Sequence, residues 1–205
     1  MLRRIHLVRH GEVENPGHLV YADLPGFRLS DLGRRQAEAA AARLAPIARG
    51  ALVVSSPLER AVETALAIAR ALGTDVRTDP DLTEWRLGQR WAGIAWADLP
   101  DRFPGELEAY LAHPDDLEFS PESIAEVADR MAAAVGRLGA DHPGAEVVVV
   151  SHQDPIQAAR LRLTGLPLAA LAAGKPAHAE IVTLDAAGDR WIEARGRPED
   201  PPPSD

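Results

Sequence analysis

The chain begins with branched apolar residues alternating with charge. In RRIHLVR, residues 3–9, the positions Ile5, Leu7 and Val8 predict a first β-strand. From Asp31 to about Ala48 alanines and leucines recur at helical spacing, and Ser30 stands where an N-cap belongs. ALVVSS, residues 51–56, reads as a second buried strand. The segment after it pairs Ser56 as N-cap with Pro57 and Glu59, a capping box that predicts a helix from Pro57 to about Leu72. A short strand is expected at 75–79, after the stop at Gly73. Between Trp85 and Phe119 the periodicity fails, and prolines, tryptophans and short acidic runs suggest an excursion from the main sheet that acts like a lid.

Ser120-Pro121 predicts the start of a helix reaching about Ala140. EVVVVSH, residues 146–152, is an almost unbroken valine run of the kind that parallel sheets bury on both faces. Asp154, Pro155 and Gln157 then give cap, proline and box closure for a helix that leaves this strand at once. A closing hairpin is expected over 178–185 and 190–194, turning at Ala187-Gly188. Strands alternating with helices define the expected fold class: α/β, a three-layer sandwich with a mainly parallel central sheet flanked by helices. One domain over residues 1–196 is expected, with a disordered tail at 197–205.

Composition narrows the function. The chain has 205 residues and a net charge of −9, with 22 basic residues scattered along it, so nucleic acid is a poor partner. No apolar run is long enough to span a bilayer, and charge interrupts the N-terminus too early for a secretory signal, so a soluble cytoplasmic protein without membrane contact is expected. Absence of cysteine removes disulfides and thiolate chemistry. The i, i+4 pair His6 and His10 suits a metal only on a helix. On a strand the two lie about 13 Å apart, at about 3.3 Å per residue, so no metal and no cofactor are expected.

Ligands of open α/β sheets sit outside the carboxyl ends of the strands. Three expected strands end in, or just before, reactive groups: Arg9-His10-Gly11, Arg60 and His152. Two guanidiniums, two imidazoles and two helix N-termini in one place suit a compact dianion, above all a phosphoryl group.

RHGEVEN at 9–15, SSPLERAVETA at 55–65, LTEWRLGQRWAG at 82–93 and VSH at 150–152 together resemble the histidine phosphatase superfamily, the phosphoglycerate-mutase-like enzymes. The resemblance implies roles for individual residues. His10 is the nucleophile that takes the phosphoryl group. Arg9 and Arg60 clamp its oxygens, His152 donates to them, and Asn15 adds a neutral hydrogen bond. Glu84 is the general acid, with Glu12, Glu59 and Glu63 as competitors by type. Gly11 keeps the loop of the nucleophile free of a side chain, and Asn15 can equally be a turn residue before Pro16. The family commonly has a glycine pair after the second histidine, where this chain has Gln153-Asp154. Asp154 reads as the N-cap of the next helix, and Gln153 and Asp154 both stand near the substrate. A phosphatase acting on a small phosphorylated metabolite is expected; a mutase, which needs extra cations around the pocket, and a non-catalytic phosphate-binding module are the alternatives. Oligomeric state stays open, a dimer included.

Overall fold

Valine accounts for the two covered faces of the sheet. The run forms strand β4 (Glu146–Ser151), buried from Val147 onward. Val147 and Val149 join one apolar cluster with Ile5, Leu7, Val127 and Met131. Val148 and Val150 point the other way, into a second cluster with Val8, Val53, Leu44 and Ile68. Period-two alternation thus feeds two cores at once, and full burial of such side chains stabilises by about 1.5–3 kcal/mol each.

The computed structural model describes residues 1–194. Its other strands are β1 (Arg4–Arg9), β2 (Leu52–Ser55), β3 (Val76–Thr78), β5 (Ile181–Ala187) and β6 (Arg190–Glu193). The helices are α1 (Asp31–Leu44), α2 (Glu59–Leu72), α3 (Leu87–Trp91), α4 (Leu99–Arg102), α5 (Glu106–Ala112), α6 (Ile124–Asp141) and α7 (Gln153–Thr164). The sheet order is β3-β2-β4-β1-β5-β6. Strands β1 to β4 pair in parallel, while β5 and β6 run antiparallel. This is the expected α/β class. The tail expected from residue 197 lies outside the described residues.

Helices α1 and α2 pack together, as do α6 and α7. Their apolar residues fall in different clusters: Ala41, Leu44, Ala61 and Ile68 on one face of the sheet, Val127, Met131, Ala158 and Leu161 on the other. The chain therefore leaves β1 toward one face and leaves the neighbouring β4 toward the opposite face. A crevice opens between such strands at their carboxyl ends, and the functional residues converge there.

Several expected boundaries move. α1 stops at Leu44, and the hairpin pairs Ala187 with Arg190, which puts its turn at Gly188-Asp189. No side chain caps α2, whose N-cap is Leu58. The Ser56 hydroxyl accepts from Leu58 N–H and meets His152, while Glu59 turns to the backbone of Gly26 and to Arg28. α6 starts at Ile124 under a capping box of Ser123 and Glu126; the Ser120 hydroxyl instead donates to the Glu122 carbonyl. Asp154 lies inside the first turn of α7, after the N-cap His152, and its carboxylate turns to other partners. Ser56, Glu59 and Asp154 share one cause: a side chain that could satisfy a local amide has a partner across the fold.

The excursion expected over 85–119 holds α3, α4 and α5. Trp85, Leu87, Trp91 and Leu99 are buried within the larger apolar cluster.

Candidate active site

β1 ends in Arg9, and His10 follows, its own N–H bonded to the carbonyl of Ser151 at the end of β4. That bond ties the two strand ends together and brings the rings of His10 and His152 to 5.1 Å between centroids. His10 is 1% exposed, Arg60 1% and His152 0%.

The tautomer of His10 follows from its surroundings. Its Nδ1 lies 2.7 Å from the Gly11 carbonyl. A carbonyl only accepts, so Nδ1 carries the proton and Nε2 keeps its lone pair. Burial and then the Arg60 charge hold the imidazole pKa well below its ordinary value, with Arg9 and His178 acting the same way. His10 is thus a neutral, nucleophilic imidazole.

His152 is oriented by a residue that the sequence reading assigned elsewhere. Its Nε2 is 2.8 Å from the Ser56 hydroxyl. Ser56 is fully buried, its hydroxyl hydrogen needs an acceptor, and the imidazole Nε2 is the one it meets among the described residues, so that hydrogen points to the ring. The ring proton therefore resides on Nδ1, which is 3.7 Å from the Glu84 carboxyl. Burial, Arg60 and His10 push the His152 pKa well down.

Both guanidiniums are anchored at their tips. Arg9 donates to the Pro176 carbonyl at 2.9 Å and to His178 Nε2 at 2.9 Å. Arg60 donates to the Ala22 carbonyl at 2.7 Å and lies 4.7 Å from the Tyr21 ring centre. Ala22 reaches that position with φ +40°, a left-handed conformation uncommon for a residue with a side chain. Burial lowers the pKa of both arginines, yet a guanidinium stays charged in proteins.

Three buried donors around His10 have no protein acceptor: Nε of Arg9, Nε of Arg60 and Nδ1 of His152. Buried polar groups are paired in the great majority of cases, so three orphans close to the strand ends suit an anion. The fourth buried atom of this kind, Oδ1 of Asp154, is 2.6 Å from the Lys175 ammonium and is thereby compensated.

Glu84 follows a 3-10 turn at Pro80–Leu82 and accepts from Trp85 N–H at 2.8 Å. Burial, reinforced by the Asp154 charge, pushes its carboxyl up to about 6. Its backbone is held by Arg130, which donates to the carbonyls of Asp81, Thr83 and Glu84 at 2.7, 2.9 and 3.1 Å. The Glu122 carboxylate, 2.7 Å away, balances Arg130. Of the competing carboxylates, Glu59 pairs with Arg28, Glu63 with Arg28, and Glu12 with the Ser30 hydroxyl.

A cavity of about 240 Å³ opens over this cluster. Arg9, His10, Glu84, Gln153 and Asp154 line it, and so does His178, which the sequence reading left inside a strand. Arg60 and His152 are buried beside His10 and are not part of that lining. Two further expected positions also fall outside it. The Asn15 amide is engaged at both ends, donating to the Leu19 carbonyl and accepting from Leu19 N–H, so it closes its own loop. Gly11 is required for packing: a Cβ there would sit 2.4 Å from the carbonyl oxygen of Gly33 in α1. The only sequence signal for Ser56 and His178 was residue type, because their partners lie 96 and 169 positions away.

The fold and the site define a class: an α/β protein whose central strands end at a neutral histidine among buried N–H donors that have no protein acceptor. Residues 5–196 match the model of the histidine phosphatase superfamily (branch 1), and the chain belongs to that superfamily. It is 39% identical over 181 residues to glucosyl-3-phosphoglycerate phosphatase of Mycolicibacterium vanbaalenii, covering 82% of this chain and 76% of the relative. It is 33% identical over 192 residues to the metal-independent phosphoserine phosphatase of Arabidopsis thaliana, covering 92% and 78%. The solved structure of mycobacterial glucosyl-3-phosphoglycerate phosphatase in complex with VO3 superimposes with a TM-score of 0.83 at 34% identity, covering 95% of this chain and 98% of that one.

Proposed function

We propose that the chain is a phosphatase that hydrolyses a small phosphomonoester through a phosphohistidine at His10, without a metal. The trio of buried donors facing no protein acceptor carries this reading. Three charge-assisted or neutral N–H donors match the non-bridging oxygens of a phosphoryl group, which hold the charge that develops during transfer. The relatives named above act on different alcohols, so what they share with this site is the phosphoryl end.

In the first step the Nε2 lone pair of His10 attacks phosphorus and forms the N–P bond. The P–O bond to the alcohol breaks, and the leaving oxygen keeps the electron pair while taking the proton of Glu84. A carboxyl raised to about 6 retains a protonated fraction near neutrality. In the second step the Glu84 carboxylate takes a proton from water, whose oxygen attacks phosphorus. The N–P bond breaks, its electron pair returns to Nε2, and inorganic phosphate leaves.

A mutase must hold a second phosphoryl group. The wall facing Arg9 carries Gln153, Asp154 and Tyr110, and this favours hydrolysis. Phosphate release from p-nitrophenyl phosphate in excess EDTA tests the proposal. Activity that disappears in His10→Ala supports it, and no activity at any pH leaves a binding module as the better reading.

A further inference from the structure

Away from the phosphoryl end the cavity changes character. Leu19, Val20, Leu87 and the tryptophans Trp85, Trp91 and Trp96 also line it, and of these Leu19 and Trp96 carry the accessible carbon. Two of the indole N–H groups are engaged inside the protein: Trp85 donates to the Glu122 carbonyl at 2.7 Å and Trp91 to the Glu106 carboxylate at 2.9 Å. Both rings are buried in the larger apolar cluster and support the cavity from within it. Trp96, 42% exposed and 6.2 Å from Trp91 between ring centres, stands at the rim.

The polar wall is closed on itself. Tyr110 donates to Asp154 Oδ2 at 2.9 Å, while the Lys175 ammonium is 2.6 Å from Asp154 Oδ1 and 2.8 Å from the Tyr110 oxygen. One carboxylate and one ammonium cancel there. Among the described residues lining the cavity, Arg9 is the sole arginine or lysine, and it belongs to the phosphoryl end. A second anionic group on the substrate would meet carbon or the Asp154 carboxylate, and desolvating it without a partner costs several kcal/mol.

We propose that the alcohol released by this enzyme is uncharged and largely apolar, with a ring that packs on Trp96 at the rim of the cavity. The inference rests on the phosphatase reading and separates this chain from relatives whose named substrates, phosphoserine and glucosyl-3-phosphoglycerate, carry a carboxylate. Lys175 is the cation that a carboxylate would need, and Asp154 withholds it. Gln153 adds a neutral amide able to accept or donate one hydrogen bond to a hydroxyl of the alcohol.

The test compares kcat/KM for 2-phenylethyl phosphate, 3-phosphoglycerate and O-phosphoserine. All three are alkyl esters, so binding of the alcohol dominates the difference. We expect 2-phenylethyl phosphate to be favoured at least tenfold over either carboxylate-bearing ester. In Trp96→Ala, at the rim where folding is least at risk, that ratio should fall about threefold or more, and in Asp154→Asn the carboxylate-bearing esters should gain. Hydrolysis of all three with a carboxylate-bearing ester as good or better would overturn the inference and leave the phosphatase reading intact. No hydrolysis of any ester, nor of p-nitrophenyl phosphate, would overturn both. An unchanged ratio in Trp96→Ala would also count against packing of the ring on Trp96.

Discussion

His10 donates from Nδ1 to the carbonyl of its own neighbour, Gly11, at 2.7 Å, and this short local bond leaves the lone pair on Nε2. With Arg60, Arg9 and burial all opposing imidazolium, the ring is neutral well below its ordinary titration range. Nitrogen-15 NMR of the histidine rings should show His10 as the Nδ1–H tautomer, unchanged from pH 8 to pH 5. The phosphoenzyme should carry its phosphoryl group on Nε2, stable to alkali and lost in acid. An adduct stable to acid would point to another nucleophile.

Glu84 should act in two measurable ways. In the proposed mechanism it is the general acid and matters for poor leaving groups, so Glu84→Gln should slow alkyl phosphates by about 10²–10⁴-fold and p-nitrophenyl phosphate far less. In the wild type, kcat/KM for alkyl esters should decline as pH rises above about 6, where the carboxyl loses its proton.

The same carboxyl weakens the fold at neutral pH. Its folded pKa lies above the unfolded one, so the native state binds the proton more tightly. Stability therefore falls as pH rises from about 4.5 to about 6 and stays reduced above that. At about 1.4 kcal/mol per tenfold change in proton affinity, Glu84→Gln should gain up to about 2 kcal/mol at pH 8 and nothing at pH 4. Urea unfolding at both pH values checks this, and equal gains would contradict the assignment.

Four histidines act in the opposite direction. His6, His10, His152 and His178 are all held below the ordinary imidazole pKa by burial, His178 at about 4. The unfolded chain takes up their protons near pH 6.5 while the native state resists, so stability drops as pH falls below 6.5. Denaturant midpoints should be lower at pH 5 than at pH 7.5, and inorganic phosphate should raise them at both.

Gly11→Ala should destabilise by about 1–3 kcal/mol, because its new methyl would collide with the Gly33 backbone, which has no side chain able to swing away. Activity per folded molecule should also fall, since the Gly11 carbonyl sets the His10 tautomer. A stable, fully active Gly11→Ala variant would mean that the two chain segments separate easily.

Ser56→Ala tests the second imidazole. Without the hydroxyl, Nε2 of His152 loses its donor and the Nδ1–H tautomer is no longer enforced. A loss in kcat of about 10-fold or more is expected for such outer support, with Ser56→Thr restoring part of it. A loss confined to stability would make Ser56 merely a packing residue.

The patterning of the chain by itself determined the layers of this protein. Valines at 147–150 can be satisfied only by apolar cover on both faces, and alanines at helical spacing in α1 and α2 supply one of the covers. The order of short-range motifs also singled out Arg9, His10, Arg60, Glu84 and His152 as candidates, because each sits at a strand end or in the first turns after one. Tertiary structure alone decided which polar side chains serve caps and which serve the site. Ser56, Asp154 and Asn15 each had a local use written in the sequence. Asn15 kept its use within the loop, while Ser56 gave its hydroxyl to His152 and Asp154 gave its carboxylate to Tyr110 and Lys175. A hydrogen bond to a neighbour in sequence and one across the fold are similar in energy, so burial and geometry choose between them, and neither can be read along the chain.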